Sequence, residues 1–93
     1  MIISFGSKQT ENVWVGERVA KWPLEIQKIG RRKLRMLHNA QDITDLRIPP
    51  SNRLEKLSGN LRAYYSIRIT NQWRIIFQWD NGQALEVEII DYH

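Results

Sequence analysis

The sequence predicts an α+β domain, with helices packed on one face of an antiparallel sheet. Three observations predict it. Apolar residues recur at helical spacing through roughly the first forty positions. After Pro49-Pro50 the apolar period changes to two, as strands require. No internal repeat or low-complexity tract breaks the order of helices first and strand meander second. With 93 residues the chain is expected to form one domain, 1–93, being too short for two independent cores.

Ile2 to Phe5 reads as a short N-terminal strand. Thr10 to Gly16 reads as a short helix, with Thr10 as cap, Val13 and Trp14 as its apolar side, and Gly16 as its stop. Pro23 suits the first turn of a second helix, where a missing N–H costs nothing. That helix is expected to run to about His38, with Trp22, Ile26, Ile29, Leu34 and Leu37 on one buried stripe. His38 at its end suits the negative pole of the helix dipole. The opposite side carries Lys28, Arg31, Arg32 and Arg35. Such a face is ordinarily just solvated, and it is also a candidate for phosphate docking.

Asn39 to Arg47 is polar, with room for one helical turn, and Pro49-Pro50-Ser51-Asn52 is a break. Arg53 to Leu57 is expected as a strand ended by Ser58-Gly59-Asn60. Tyr65, Ile67 and Ile69 alternate with Tyr64, Ser66, Arg68 and Thr70. Trp73, Ile75, Phe77 and Trp79 alternate with Arg74, Ile76, Gln78 and Asp80. Asp80-Asn81-Gly82 is a strong turn signal, after which Leu85, Val87 and Ile89 keep the apolar parity.

That parity fixes an expected register, because a one-residue slip exchanges the faces. Pairing odd with odd residues requires loops with an odd number of residues. A three-residue loop at Thr70 to Gln72 sets Arg68 opposite Arg74. A five-residue loop at Asp80 to Ala84 sets Ile90 opposite Arg74 and Tyr92 beside Gln72. The even face then gathers Tyr64, Ser66, Arg68, Arg74, Gln78 and Tyr92. Like charges directly opposed destabilise a sheet. Either an anionic ligand offsets the two arginines, or Glu86, Glu88 or Glu55 neutralises them.

Composition narrows the chemistry. Without cysteine there is no disulfide framework, thiolate metal site or thiol nucleophile. His38 and His93 lack the further ligands that a zinc site needs, and no glycine-rich phosphate loop or nucleophile elbow is present. No apolar run approaches the roughly 20 residues of a membrane span, and the N-terminus does not read as a signal peptide. A cytoplasmic protein without cofactor is expected. The net charge of +4, with nine arginines among fourteen cations, leans toward a polyanionic partner.

Arginines with tyrosine, glutamate and histidine suit phosphodiester cleavage through RNA's own 2′-hydroxyl. That reaction needs a base, an acid and cations on the phosphoryl oxygens. Because the nucleophile belongs to the substrate, the chemistry requires no metal. Asp91-Tyr92-His93 follows the last predicted strand. With His93 read as the terminal residue, its own carboxylate is expected to favour the imidazolium form. Tyr64 and Tyr92 have the parity for stacking on bases, whereas Trp73 and Trp79 have core parity.

The runs Arg53-Leu54-Glu55-Lys56-Leu57-Ser58-Gly59-Asn60, Tyr65-Ser66-Ile67-Arg68-Ile69, Gln72-Trp73-Arg74-Ile75-Ile76-Phe77 and Glu88-Ile89-Ile90-Asp91-Tyr92-His93 resemble a known family. It is the HigB-type branch of the RelE toxin superfamily, the plasmid-maintenance killer family of type II toxin–antitoxin systems. Ile2-Ile3-Ser4-Phe5 and the helix after Trp22 are similar too, so the likeness spans nearly the whole chain. It implies a microbial RNase fold, with an N-terminal strand and two helices on an antiparallel sheet. It implies a metal-independent endoribonuclease that cleaves mRNA in the ribosomal A site and so inhibits translation and growth. The implied partners are the small ribosomal subunit with its mRNA and a cognate helix-turn-helix antitoxin, through which the complex reaches DNA.

By position, the family's phosphate-stabilising arginine falls on Arg74, and its terminal catalytic group on Asp91, Tyr92 and His93. Family members carry a histidine and then a lysine around Leu54 to Gly59, where Glu55 and Ser58 stand here. Glu55 can replace a histidine as base but not as cation. The change implies weaker cleavage, altered codon preference or a milder toxin, with Arg53, Lys56, Arg62 or Arg68 available to supply charge. Lys28, Arg31, Arg32 and Arg35 form a weaker candidate for ribosome docking. Three rival readings remain: an RNA- or ribosome-binding growth inhibitor that does not cut, a gyrase-directed relative of the ParE branch, and a plain α+β interaction domain.

Overall fold

The computed structural model describes residues 1–91. Two helices, α1 (Lys8–Val15) and α2 (Leu24–Asn39), precede four strands: β1 (Glu55–Lys56), β2 (Tyr65–Arg68), β3 (Trp73–Asp80) and β4 (Gln83–Asp91). The strands form one antiparallel sheet in the order β1-β2-β3-β4. The helices cover one face of it. Leu34 and Leu37 of α2 meet Ile67, Ile75, Phe77, Val87 and Ile89 of the strands in a core closed to solvent.

The cap of α1 is Ser7, not Thr10. Ser7 Oγ accepts from the Thr10 N–H at 3.2 Å. Thr10 is instead fully buried, and its hydroxyl accepts from the Ile89 N–H at 2.8 Å, tying the helix to β4. Gly16 stops α1 as expected, in the left-handed conformation at φ 89°. Pro23 precedes α2 as its cap, and the buried stripe is Ile26, Gly30, Leu34 and Leu37. Trp22 and Ile29 are half-buried against that core. Gly30 lies so close to the sheet that a Cβ would come within 3.2 Å of the Ile89 side chain. His38 stands in the last turn of α2 as expected, and it makes further contacts. Its Nδ1 accepts from the Ile2 N–H at 3.2 Å, and its ring lies 5.2 Å from that of Trp14.

The N-terminal residues are extended but form no continuous strand. They run parallel to β4 through two isolated bridges, Ile2↔Ala84 and Phe5↔Val87. The gap between the bridges falls at Glu86, whose φ of 51° takes it out of extended geometry. Its N–H donates to Ser4 Oγ at 2.9 Å instead of to a backbone carbonyl.

The expected strand from Arg53 to Leu57 shrinks to Glu55–Lys56, because Arg53 adopts a left-handed conformation at φ 46°. The turn expected in Asn39 to Arg47 is a 3-10 helix, Ile43–Arg47, closed by reciprocal caps from Asp42 and Asp45. Asp42 accepts from both the N–H and the hydroxyl of Thr44, which hold its carboxyl below the usual carboxylate range.

The register is correct at Arg74 for a partly different reason. The β2–β3 loop has the expected length, and Arg68 pairs with Arg74. The β3–β4 connection is not a five-residue loop but a two-residue turn, Asn81-Gly82, with φ values of 51° and 80°. Both residues tolerate that geometry, as hairpin turns of the I′ kind require. The pairing then shifts by one residue between Ile76↔Glu88 and Gln78↔Leu85. Short turn plus bulge therefore bring Ile90 opposite Arg74. The bulge also swaps parity at the start of β4, so Ala84 is buried and Leu85 half-exposed.

Candidate active site

The sheet face away from the helices carries the candidate site. Directly opposed residues share a face, so Glu55↔Ser66↔Ile76↔Glu88 form one row and Arg68↔Arg74↔Ile90 the next. The middle of the face is less exposed than its alternation suggests. Ser66 and Ile76 are only 2% and 6% exposed, making a floor beneath the charged residues.

Two guanidinium groups on opposed positions call for an anion. Glu55 supplies one, the third of the three carboxylates considered from sequence. Its Oε1 lies 3.4 Å from Arg74 Nη1. The Arg74 side chain is 14% exposed and that of Glu55 53%, so the arginine is held in the face while the carboxylate stands toward solvent. With the carboxylate open to solvent, such a pair contributes about 0–1 kcal/mol.

The other expected site residues divide clearly. Tyr64 accepts at its carbonyl from the Leu57 N–H at 2.9 Å, extending the β1–β2 ladder. Alternation along β2 puts Tyr64 on the face of Ser66 and Arg68. Arg53 is exposed two residues before β1, and Arg62 is exposed after the Gly59–Leu61 turn. Lys56 is not part of the face. It pairs with Tyr65, and its ammonium lies 5.2 Å from the centroid of that ring on the helix-facing side. Asp91 pairs with Trp73, hence also on the helix-facing side, and its Oδ2 accepts from Gln72 Nε2 at 3.1 Å. Tyr92 and His93 lie outside the described residues.

Lys28, Arg31, Arg32 and Arg35 do come together, on the exposed side of α2 in the helix layer. They are on the other side of the sheet from Arg74. Among the described residues, no group of three or more histidine, aspartate, glutamate or cysteine side chains could hold a metal ion. Nor is any helix there long and apolar enough to cross a membrane.

Sequence reasoning missed the anchor that positions β1. Asn52 is fully buried, and its amide donates to the carbonyls of Leu46 at 3.1 Å and Ile48 at 3.4 Å. Its carbonyl oxygen accepts from the Lys33 ammonium, itself only 6% exposed. Burial, helped by neighbouring Arg32, holds the Lys33 amine below the ordinary lysine range. The link ties the segment that delivers Glu55 onto α2. Helical spacing alone does put Lys33 on the buried stripe with Ile26, Gly30 and Leu37.

Comparison with known proteins agrees with this architecture. A model of the HigB-like toxin family, described as the RelE-like toxin of type II toxin–antitoxin system HigB, matches residues 4–93. Toxin HigB-1 of Vibrio cholerae serotype O1 is 43% identical over 86 residues, covering 91% of this chain and 90% of that protein. Endoribonuclease HigB of Proteus vulgaris is 42% identical over 41 residues, 44% of this chain and 45% of that one. Among solved structures, the heterotetrameric YoeB–YefM toxin–antitoxin complex from Staphylococcus aureus contains a chain that superposes with a TM-score of 0.61 at 21% identity. That match covers 100% of this chain and 98% of the other. The YoeB dimer from the same organism gives 0.58 at 23%, covering 99% and 94%. At those identities the structural matches establish the fold.

Proposed function

This chain belongs to the HigB-like family of RelE-like toxins of type II toxin–antitoxin systems, and on that premise we propose that it is an endoribonuclease cleaving mRNA in the ribosomal A site, so inhibiting translation and growth. One observation carries the chemistry: Arg68 and Arg74 are opposed on one sheet face, with Glu55 in contact with Arg74 at 3.4 Å. The relative from Proteus vulgaris is named an endoribonuclease. The Staphylococcus aureus neighbour assembles with its antitoxin YefM. The second supports an antitoxin partner; in the proposed reading the toxin acts in the cytoplasm and its cognate antitoxin is a helix-turn-helix protein through which the complex reaches DNA.

In this reading Arg74 and Arg68 bind the non-bridging oxygens of the scissile phosphate, where negative charge grows in the transition state. Phosphate entry releases Glu55 from Arg74, and its carboxylate takes the 2′-hydroxyl proton. The 2′-oxygen bonds to phosphorus as the bond to the 5′-oxygen breaks. His93, as imidazolium, gives the leaving oxygen its proton, and Asp91, on the helix-facing side of the sheet, takes no part. The products are a 2′,3′-cyclic phosphate and a 5′-hydroxyl, so the substrate supplies the nucleophile and no metal is needed. Tyr92 and Tyr64 stack on bases. Arg53 and Arg62 follow the flanking backbone, and Lys56 is left out because it faces the other side.

Primer extension on mRNA carried by programmed ribosomes tests the proposal. The parent should generate cleaved 5′ ends within the A-site codon. Arg74→Ala should lower the cleavage rate by about 10²–10³-fold, the effect of removing one oxyanion donor. His93→Ala should cost about 10²–10⁴-fold, the worth of one general acid. Stalled ribosomes without cleaved ends would favour the non-cutting alternative and overturn the assignment.

A further inference from the structure

Between the end of α1 and the start of α2 lies a cleft of about 220 Å³, in the helix layer and across the sheet from Arg74. It is smaller than the roughly 300–1,000 Å³ that whole small-molecule ligands occupy. Its size suits one anchoring side chain. Val13 gives it an apolar floor, Leu24 an apolar rim, and Arg18, Lys28 and Arg31 its cationic walls. Leu24 is 54% exposed and Val15, at the end of α1, 58% exposed.

The cleft is preformed. Gln27 is buried, and its amide accepts from the Val19 N–H at 2.9 Å and donates to the carbonyls of Val19 and Trp22 at 2.8 and 2.9 Å. Those three bonds fix the α1–α2 connection against the helix. Arg31 Nε donates to the Trp14 carbonyl at 3.3 Å, which fixes the cationic wall to α1. From the cleft the charge continues along α2 through Arg32 and Arg35. Among the described residues none of these cations has a carboxylate within salt-bridge distance.

We propose that this cleft and basic stripe form the docking site for an acidic, amphipathic segment of a protein partner, the antitoxin. This rests on the toxin–antitoxin reading above and deepens it. An apolar side chain of the segment fills the cleft against Val13 and Leu24, while its carboxylates meet Arg18, Lys28, Arg31 and Arg35. This is the groove mode of helix recognition, with an apolar anchor supplying affinity and charge supplying orientation. The local chemistry disfavours RNA as occupant. No aromatic ring lines the cleft to stack a base, and a sugar–phosphate backbone gains little from Leu24 or Val15.

The test uses the purified product of the neighbouring antitoxin reading frame as probe and full-length toxin as receptor. Leu24→Glu and Arg18→Glu should each weaken binding by roughly tenfold or more, the range of a central interface anchor. Ribosome-dependent mRNA cleavage by both variants should equal that of the parent. Leu24→Glu adds a carboxylate in the first turn of α2, which the helix dipole favours, and Arg18 is exposed in the connection. Melting temperatures near the parent's will show that both fold. Unchanged antitoxin affinity in two folded variants overturns the cleft assignment alone. Lost mRNA cleavage with antitoxin binding intact also overturns it, making the face an RNA contact. If the antitoxin fails to bind the parent itself, the toxin–antitoxin reading falls with it.

Discussion

Arg74 and Lys33 show how one side chain's surroundings decide its use. Arg74 lies in a sheet face opposite a second arginine, with the Glu55 carboxylate 3.4 Å from its guanidinium. Lys33 lies in the core and spends its ammonium on Asn52. Because the native state holds the Lys33 proton less tightly than the unfolded chain does, stability is lost as pH falls through the lowered native pKa. It is fully present above the unfolded value of 10.5. Unfolding measured across the alkaline range should therefore show stability rising toward that pH in the parent, and a flatter profile in Lys33→Met. Parallel profiles would remove Lys33 as the source. Arg74 was legible in the sequence, because strand alternation fixes the face of every residue near it. Lys33 was harder to see, since its charge suggests the solvated face while its helical phase puts it inside.

At the scale of elements, the contacts that fix the sheet come from outside it. The clearest is the Thr10 hydroxyl, which accepts the Ile89 N–H in the core and so joins α1 to β4. Thr10→Val keeps the shape but strands that buried N–H, and should destabilise the fold by about 1–3 kcal/mol. Chemical denaturation of both proteins measures it, and equal midpoints would show that the bond contributes nothing net. No sequence pattern announces this use of a threonine, which reads as a helix cap equally well. The β3–β4 hairpin gives the same lesson. Asn81-Gly82 marks its turn plainly, but the bulge at Glu86 is held by Ser4, some eighty positions away in the chain. Periodicity sees neighbours in sequence, so a residue displaced by a distant partner escapes it. The strand from Arg53 to Leu57 was overextended for a similar reason, because the left-handed turn at Arg53 follows from the Asn52 anchor.

Across the whole molecule, basic side chains gather on two surfaces, one on each layer. The open sheet face gathers Arg68, Arg74 and Glu55, the groups we propose act on the scissile phosphate. The helix layer carries a second basic surface beside an apolar cleft, suited to a protein partner. Fold class, helix positions and the Arg68–Arg74 pairing were readable from residue order, and the cleft was not, because it arises only where two helix ends meet. The most direct test of the central claim replaces one atom of the substrate. An mRNA carrying a single 2′-deoxynucleotide on the 5′ side of the scissile bond is set in the ribosomal A site and treated with the toxin. Cleavage through the substrate's own hydroxyl predicts that this bond survives while the all-ribose message is cut, with a 2′,3′-cyclic phosphate left on the upstream fragment. Cutting of the deoxy-substituted bond at the parent rate would contradict the account.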